Sequence, residues 1–160
     1  GFARIRIIDS NFYRDIDWPI IIMLAAMIPI GTALQTTGLS DVISSSISLL
    51  AADMSLFWLL FLILIVTMAT TDIINNAATA VIMAPISAGI GLELGYAIEP
   101  FLMVVAVGAS CAFLTPIGHQ CNTVVMGPGN YKFTDYWRLG LPLDILIIAV
   151  SIPMILFVWT

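Results

Sequence analysis

The sequence predicts an all-α, polytopic membrane protein built around a re-entrant helical hairpin and a discontinuous transmembrane helix. Three observations predict it. First, 61% of the 160 residues are hydrophobic and only 9% are charged, against roughly a quarter charged in soluble domains, and the mean hydropathy is +1.08. Second, two long apolar runs, 55–92 and 100–127, are each interrupted by polar residues far from their ends. Third, all five Lys and Arg lie in two short segments, 1–17 and 128–138. Five basic and ten acidic residues cannot clothe a soluble domain, which excludes a soluble enzyme, a disordered chain and a collagen-like chain. A net charge of −5 with so few basic residues leaves no footprint for nucleic acid and no polybasic segment for anionic lipid.

Residues 1–17 are mixed and charged and read as a membrane-surface lead-in, with Asp17 as a helix N-cap. Residues 18–34 form the first span, opened by an interfacial Trp18 and by Pro19 in the first helical turn. Gly38 ends that region. Residues 40–51 form an amphipathic helix with Ser40 as N-cap and Val42, Ile43, Ile47 and Leu50 on one face. At about 18 Å it is too short to cross a bilayer and is expected at the interface. In 55–92, two apolar arms flank the polar knot Thr70-Thr71-Asp72-Ile73-Ile74-Asn75-Asn76. Each arm has 16 residues, short of the roughly 20 a spanning helix needs. Residues 100–127 read as a helix opened at Thr115-Pro116, where proline removes a backbone donor. A polar loop follows, and 139–159 form the last span. The chain is expected to be the C-terminal part of a larger membrane protein.

The loops between the two basic segments carry Asp41, Asp53, Glu93 and Glu99 but no Lys or Arg. The positive-inside rule therefore places residues 1–17 and 128–138 in the cytoplasm, with an even number of crossings between them. Two crossings fit if 55–92 is re-entrant and four fit if both arms span; arm length and the polar knot favour the hairpin.

Polar side chains and bent backbone at bilayer depth are tolerated only where they line a cavity or face protein. Asp72, Asn75 and Asn76 at the tip, and Thr115, Gly118 and Asn122 around the break, are therefore candidate site residues. A bland reading stands beside this one: the two asparagines cap the second arm, and Pro116 merely kinks a helix. A re-entrant tip followed by an interrupted helix is nonetheless how secondary transporters build midplane sites. No Lys or Arg lies among these residues. An anion would meet the free N–H groups of a helix beginning at Asn76, while Thr71 and Asn76 oxygens suit Na⁺.

The tip reads Thr71-Asp72-Ile73-Ile74-Asn75-Asn76-Ala77-Ala78-Thr79, and the next helix reads Gly108-Ala109-Ser110 through Leu114-Thr115-Pro116. After the break come Met126-Gly127-Pro128-Gly129 and Leu139-Gly140-Leu141. In this order, over roughly residues 17–159, these resemble the second half of the divalent anion:sodium symporter family, also called the sodium/dicarboxylate and sulfate symporters. The resemblance implies the C-terminal inverted repeat of an elevator-type transporter. Such a carrier works as a homodimer in the plasma membrane, and the N-terminal half of the same chain completes half-sites. By the resemblance, Thr71, Ile74, Asn76 and Leu114 contribute to one sodium site, partly through backbone carbonyls. Asn75, Asn76, Ala77, Thr115 and Pro116 meet the anion. Asn75 and Ala77 stand where the family usually has Ser and Thr. The Thr-Pro-x-Gly-x-Gln-x-Asn run at 115–122 resembles the subgroup of permeases bearing soluble regulatory domains. The function implied is sodium-coupled symport of a small divalent anion, sulfate or dicarboxylate, with no cofactor beyond the coupling ion.

Other residues carry two readings each. His119 is either a structural side chain bonded to backbone carbonyls or a titrating group beside the anion. Asp72 either touches a cation or is structural. Asp144, six residues from Arg138, is expected at the interface, and Cys111 and Cys121 are expected as buried small hydrophobes. Gly89, Gly91 and Gly95 suggest close helix packing or flexible ends. Two other classes compete. A proton-coupled or uncoupled permease, or a channel subunit, would share the membrane architecture, though no selectivity filter is visible. An intramembrane aspartyl protease would need Asp72 and Asp144 to face each other and share a proton.

Overall fold

The computed structural model describes residues 36–51 and 53–160, together with positions 22, 25, 26, 29, 32 and 33. The lead-in 1–17 with its Asp17 cap, and most of the span expected at 18–34, lie outside the described residues. The named elements are α1 (Leu39–Ala51), α2 (Leu56–Thr71), α3 (Asn76–Glu93), α4 (Glu99–Ala109), α5 (Gln120–Met126), a 3₁₀ turn (Phe133–Asp135) and α6 (Tyr136–Trp159). No strand occurs among the described residues.

Gly38 takes φ +70°, a left-handed conformation open to glycine, and the chain turns there into α1. The helix starts at Leu39, so Ser40 lies inside its first turn rather than capping it. The buried face also differs from the expected one. Ser44 and Ser48 are buried, Ile43 and Ile47 pack at the core margin, and Val42 is 62% exposed. Small side chains decide this. A Cβ on Gly89 would meet Ser44 Oγ at 2.5 Å, so α1 and α3 come together through a serine and a glycine. The Ser44 hydroxyl donates to Ile86 O at 3.1 Å across the same contact.

Helices α2 and α3 form the expected hairpin, joined by residues 72–75. Helix α4 is its central partner, packing on α2, α3 and α6. Phe101, Val104 and Val105 of α4 are fully buried against Leu59, Leu60, Leu64 and Ile90. Glycines again set the spacing. A Cβ on Gly108 would stand 2.9 Å from Thr67 Cβ, and one on Gly91 would stand 2.9 Å from the Phe101 ring. Gly95, at φ +75°, turns the chain out of α3.

Two boundaries differ from the sequence reading. Helix α4 stops at Ala109, not Leu114, and residues 110–119 run without regular structure to α5. Helix α6 begins at Tyr136, inside the segment expected to be a loop. Residues 133–159 are, among the described residues, the one stretch long and apolar enough to cross a membrane, and little of it is buried within the chain. Its outward face, with Leu139, Leu146, Val150 and Phe157, is apolar and exposed, as is that of α2 with Phe57, Trp58, Leu62 and Val66. A helix apolar on both its packed and its outer face suits lipid rather than water.

Candidate functional site

The hairpin tip and the unwound segment 110–119 meet, and side chains of the tip satisfy the backbone that the missing helical turns leave open. A helix end leaves its last carbonyls and the following N–H groups without intrahelical partners, and burying them unpaired is costly. The Thr71 hydroxyl lies 3.0 Å from Ala109 O, the last carbonyl of α4, and 2.8 Å from Asn76 Oδ1. It has two acceptors for one proton, so three oxygens converge there. Asp72 Oδ1 accepts from the N–H groups of Leu114 at 3.0 Å and Thr115 at 3.3 Å. In return the Thr115 hydroxyl donates to Asp72 O at 2.6 Å.

The chain opens at Ser110, well before Pro116, so the proline does not start the break. Pro116 is buried inside the segment. At the stop the helix tightens, with Cys111 N–H turning back to Gly108 O at 3.1 Å, and further on Asp72 takes the amides of Leu114 and Thr115. Gly118 lets the segment close on the tip. A Cβ there would lie 2.7 Å from both Thr71 O and Ala112 Cβ. On the far side, Asn122 Nδ2 donates to Ala112 O at 2.8 Å and Thr115 O at 3.2 Å, and the Tyr136 hydroxyl donates to Asn122 O at 2.7 Å.

Asn75 caps α3: its side-chain oxygen accepts from Ala78 N at 2.8 Å, which leaves the N–H groups of Asn76 and Ala77 at the helix tip. Asn75, Asn76 and Ala77 are half-buried and Ile74 is exposed at the turn. The structure thus brings Thr71, Asp72, Asn76, Leu114, Thr115, Gly118 and Asn122 into one hydrogen-bonded or contacting assembly, with Pro116 within the same segment.

Two expectations are corrected, and a third residue gains a partner surface. His119 is exposed and caps α5, its Nδ1 accepting from Cys121 N–H at 3.1 Å; its bond is to an amide, not to carbonyls. Cys121 is exposed, whereas Cys111 is buried as expected. Asp144, expected at the membrane interface, is buried within the protein at 6% exposed. The reason is Gly140, one turn before it. A Cβ on Gly140 would stand 2.4 Å from Phe113 O and 3.1 Å from Leu114 N, so α6 lies directly on the unwound segment and carries Asp144 inward. Sequence reasoning missed this; the signal was a glycine four residues before an acid, which places both on one helix face.

The comparisons agree with this architecture. The family profile for citrate transporters matches residues 5–108. The chain is 38% identical over 154 residues to the uncharacterized transporter YfbS of Escherichia coli, covering 96% of this chain and 25% of that protein. It is 26% identical to the sodium-dependent dicarboxylate transporter SdcS of Staphylococcus saprophyticus, over 95% of this chain and 29% of that one. It is 28% identical to the sodium/sulfate cotransporter 2 of Chlamydomonas reinhardtii, over 86% and 16%. The chain spans about a quarter of the length of the curated relatives it matches. These are transporters rather than enzymes, and the chain belongs to the citrate transporter family, within the divalent anion:sodium symporter group that its tip and break motifs resemble.

Proposed function

We propose that the chain is the C-terminal half-site of a secondary active transporter that moves a small divalent anion, of sulfate or dicarboxylate type, across the plasma membrane with sodium as coupling ion. The observation that carries this reading is the junction of tip and unwound segment through Thr71, Asp72 and Thr115. It gathers oxygens for a cation beside free helix N–H groups for an anion, with no basic side chain required. In this reading Thr71, Ile74, Asn76 and Leu114 bear on sodium. Asn75, Asn76, Ala77, Thr115 and Pro116 bear on the anion, and Gly118 and Asn122 shape the segment. A matching half from the N-terminal part of the carrier completes both sites, and the carrier works as a homodimer with residues 1–17 and 128–138 on the cytoplasmic side.

Similarity to a sodium-dependent dicarboxylate transporter and to a sodium/sulfate cotransporter supports the substrate class and the sodium. The test is uptake of radiolabelled sulfate, succinate and citrate by the full-length protein in proteoliposomes, with an inward Na⁺ gradient and with Na⁺ replaced by choline. Na⁺-dependent uptake of one of these is expected. Uptake that is unchanged in choline overturns the sodium coupling, and no uptake of any of the three overturns the anion class.

A further inference from the structure

A pocket of about 230 Å³ lies between α5, the loop after it and the first turns of α6, with Phe113 of the unwound segment in its wall. Of the assembly described above it touches only Asn122. Its two ends differ in chemistry. Where α6 begins, the lining is Tyr131, Asp135 and Tyr136; one and two turns further in, it is Leu139 and Leu143, with Val125 of α5. The two tyrosine rings form a corner, with centroids 6.2 Å apart and planes at 64°. Residues 133–159 are the stretch able to cross a membrane, so the mouth of the pocket stands at the membrane surface. From Tyr136 to Leu143 the helix rises about 10 Å, which carries the lining from headgroup level into hydrocarbon.

The polar side chains at the mouth have spent their donors. Asn122 Nδ2 gives its protons to Ala112 O and Thr115 O, and the Tyr136 hydroxyl gives its own to Asn122 O. Asp135 Oδ2 accepts from Lys132 N–H at 2.8 Å, and its Oδ1 makes no bond among the described residues. What remains is a set of acceptors and one carboxylate charge, with the Tyr131 hydroxyl as the one side-chain donor and no Lys or Arg in the lining. A group that satisfies this set brings N–H donors and positive charge, and aromatic faces add to its attraction. The leucine end takes a hydrocarbon tail. Lys132 and Arg138, both exposed, flank the mouth in sequence and suit a phosphate.

We propose that this pocket binds a zwitterionic phospholipid whose headgroup ends in a primary ammonium, as in phosphatidylethanolamine. The ammonium meets Asp135 and the tyrosine corner, the phosphate lies toward Lys132 and Arg138, and one acyl chain runs along Leu139 and Leu143. Phosphatidylcholine offers the charge but no N–H group. Phosphatidylglycerol offers no cation and sets its own anion beside Asp135. A seated lipid braces α5 and Phe113 of the unwound segment against α6. The site goes beyond the transport reading and does not depend on which ion or anion is carried.

The test uses purified full-length protein in micelles holding equal amounts of phosphatidylethanolamine, phosphatidylcholine and phosphatidylglycerol with the same acyl chains; bound lipid is read by native mass spectrometry. The wild type is expected to retain phosphatidylethanolamine about fivefold over either of the others. Asp135→Asn keeps an oxygen for Lys132 N–H but loses the charge, and is expected to lose that preference. Val125→Trp fills the apolar end and is expected to lower retention of all three lipids. Each variant is checked for a monodisperse elution profile, and should Asp135→Asn aggregate, Tyr131→Leu serves, with the same loss of preference expected. Equal retention of the three headgroups, a preference for phosphatidylglycerol, or no retained lipid in the wild type overturns the site. So does a soluble Asn variant that keeps the preference, or a Trp variant that retains as much lipid as the wild type. None of these outcomes bears on sodium-coupled uptake.

Discussion

At the level of single residues, close approach matters more than polarity. Gly118→Ala puts a methyl group 2.7 Å from Thr71 O and Ala112 Cβ, and overpacking of this kind costs about 1–3 kcal/mol. The expected outcome is a lower melting temperature of the full-length protein together with weakened anion uptake; an unchanged melt and uptake would contradict the closed junction. Asn75 separates capping from substrate contact. Asn75→Ala loses the bond to Ala78 N and should cost about 1 kcal/mol, whereas Asn75→Ser keeps a capping oxygen and should cost only a few tenths. Thermal unfolding of the two variants side by side reads this difference. If both melt alike, the cap contributes nothing. Thr115→Val removes the hydroxyl that donates to Asp72 O at 2.6 Å and leaves a half-buried carbonyl unpaired, a loss of about 1–3 kcal/mol. In the sodium-coupled reading it also raises the Na⁺ concentration needed for half-maximal uptake, which a Na⁺ titration of uptake measures.

At the scale of elements, small residues decide which faces pack. Helix α1 shows it best. Its apolar residues predict an inward face through Val42, yet serines point inward because Gly89 admits only a short side chain at the contact. Gly89→Leu should push α1 off α3, break the bond from Ser44 to Ile86 O and raise protease sensitivity at residues 39–51, read by limited proteolysis in membranes. The hairpin boundaries were legible because two apolar arms bracket an amide-rich turn with its own capping residue. The end of α4 was not legible. Residues 110–114 are as apolar as those before them, and the amides of Leu114 and Thr115, freed beyond the stop, pair with Asp72 some forty residues earlier. Local sequence holds no trace of a partner so far away in the chain.

For the whole molecule, the outward faces of α2 and α6 form an apolar surface suited to hydrocarbon. Val150, well inside α6 and exposed, tests that surface. Val150→Arg should cost about 2.5–3.5 kcal/mol at membrane depth and cut the yield of folded, membrane-inserted protein. A wild-type yield of the Arg variant would mean that this face meets water.

Composition and patterning alone determined the solvent, the helical class, the hairpin and the polar tip, because each is set by local content: too few charges for water, two apolar arms around an amide-rich turn, a cap where a helix must begin. Tertiary structure alone decided how the break is made and which carboxylates lie inside. Sequence alone left the burial of Asp144 unseen, and it follows from the contact of Gly140, one turn earlier, with the Phe113–Leu114 backbone. The physical reason is that burial of a polar group depends on what another element places over it, and that is a property of packing between segments rather than of the residues on either side.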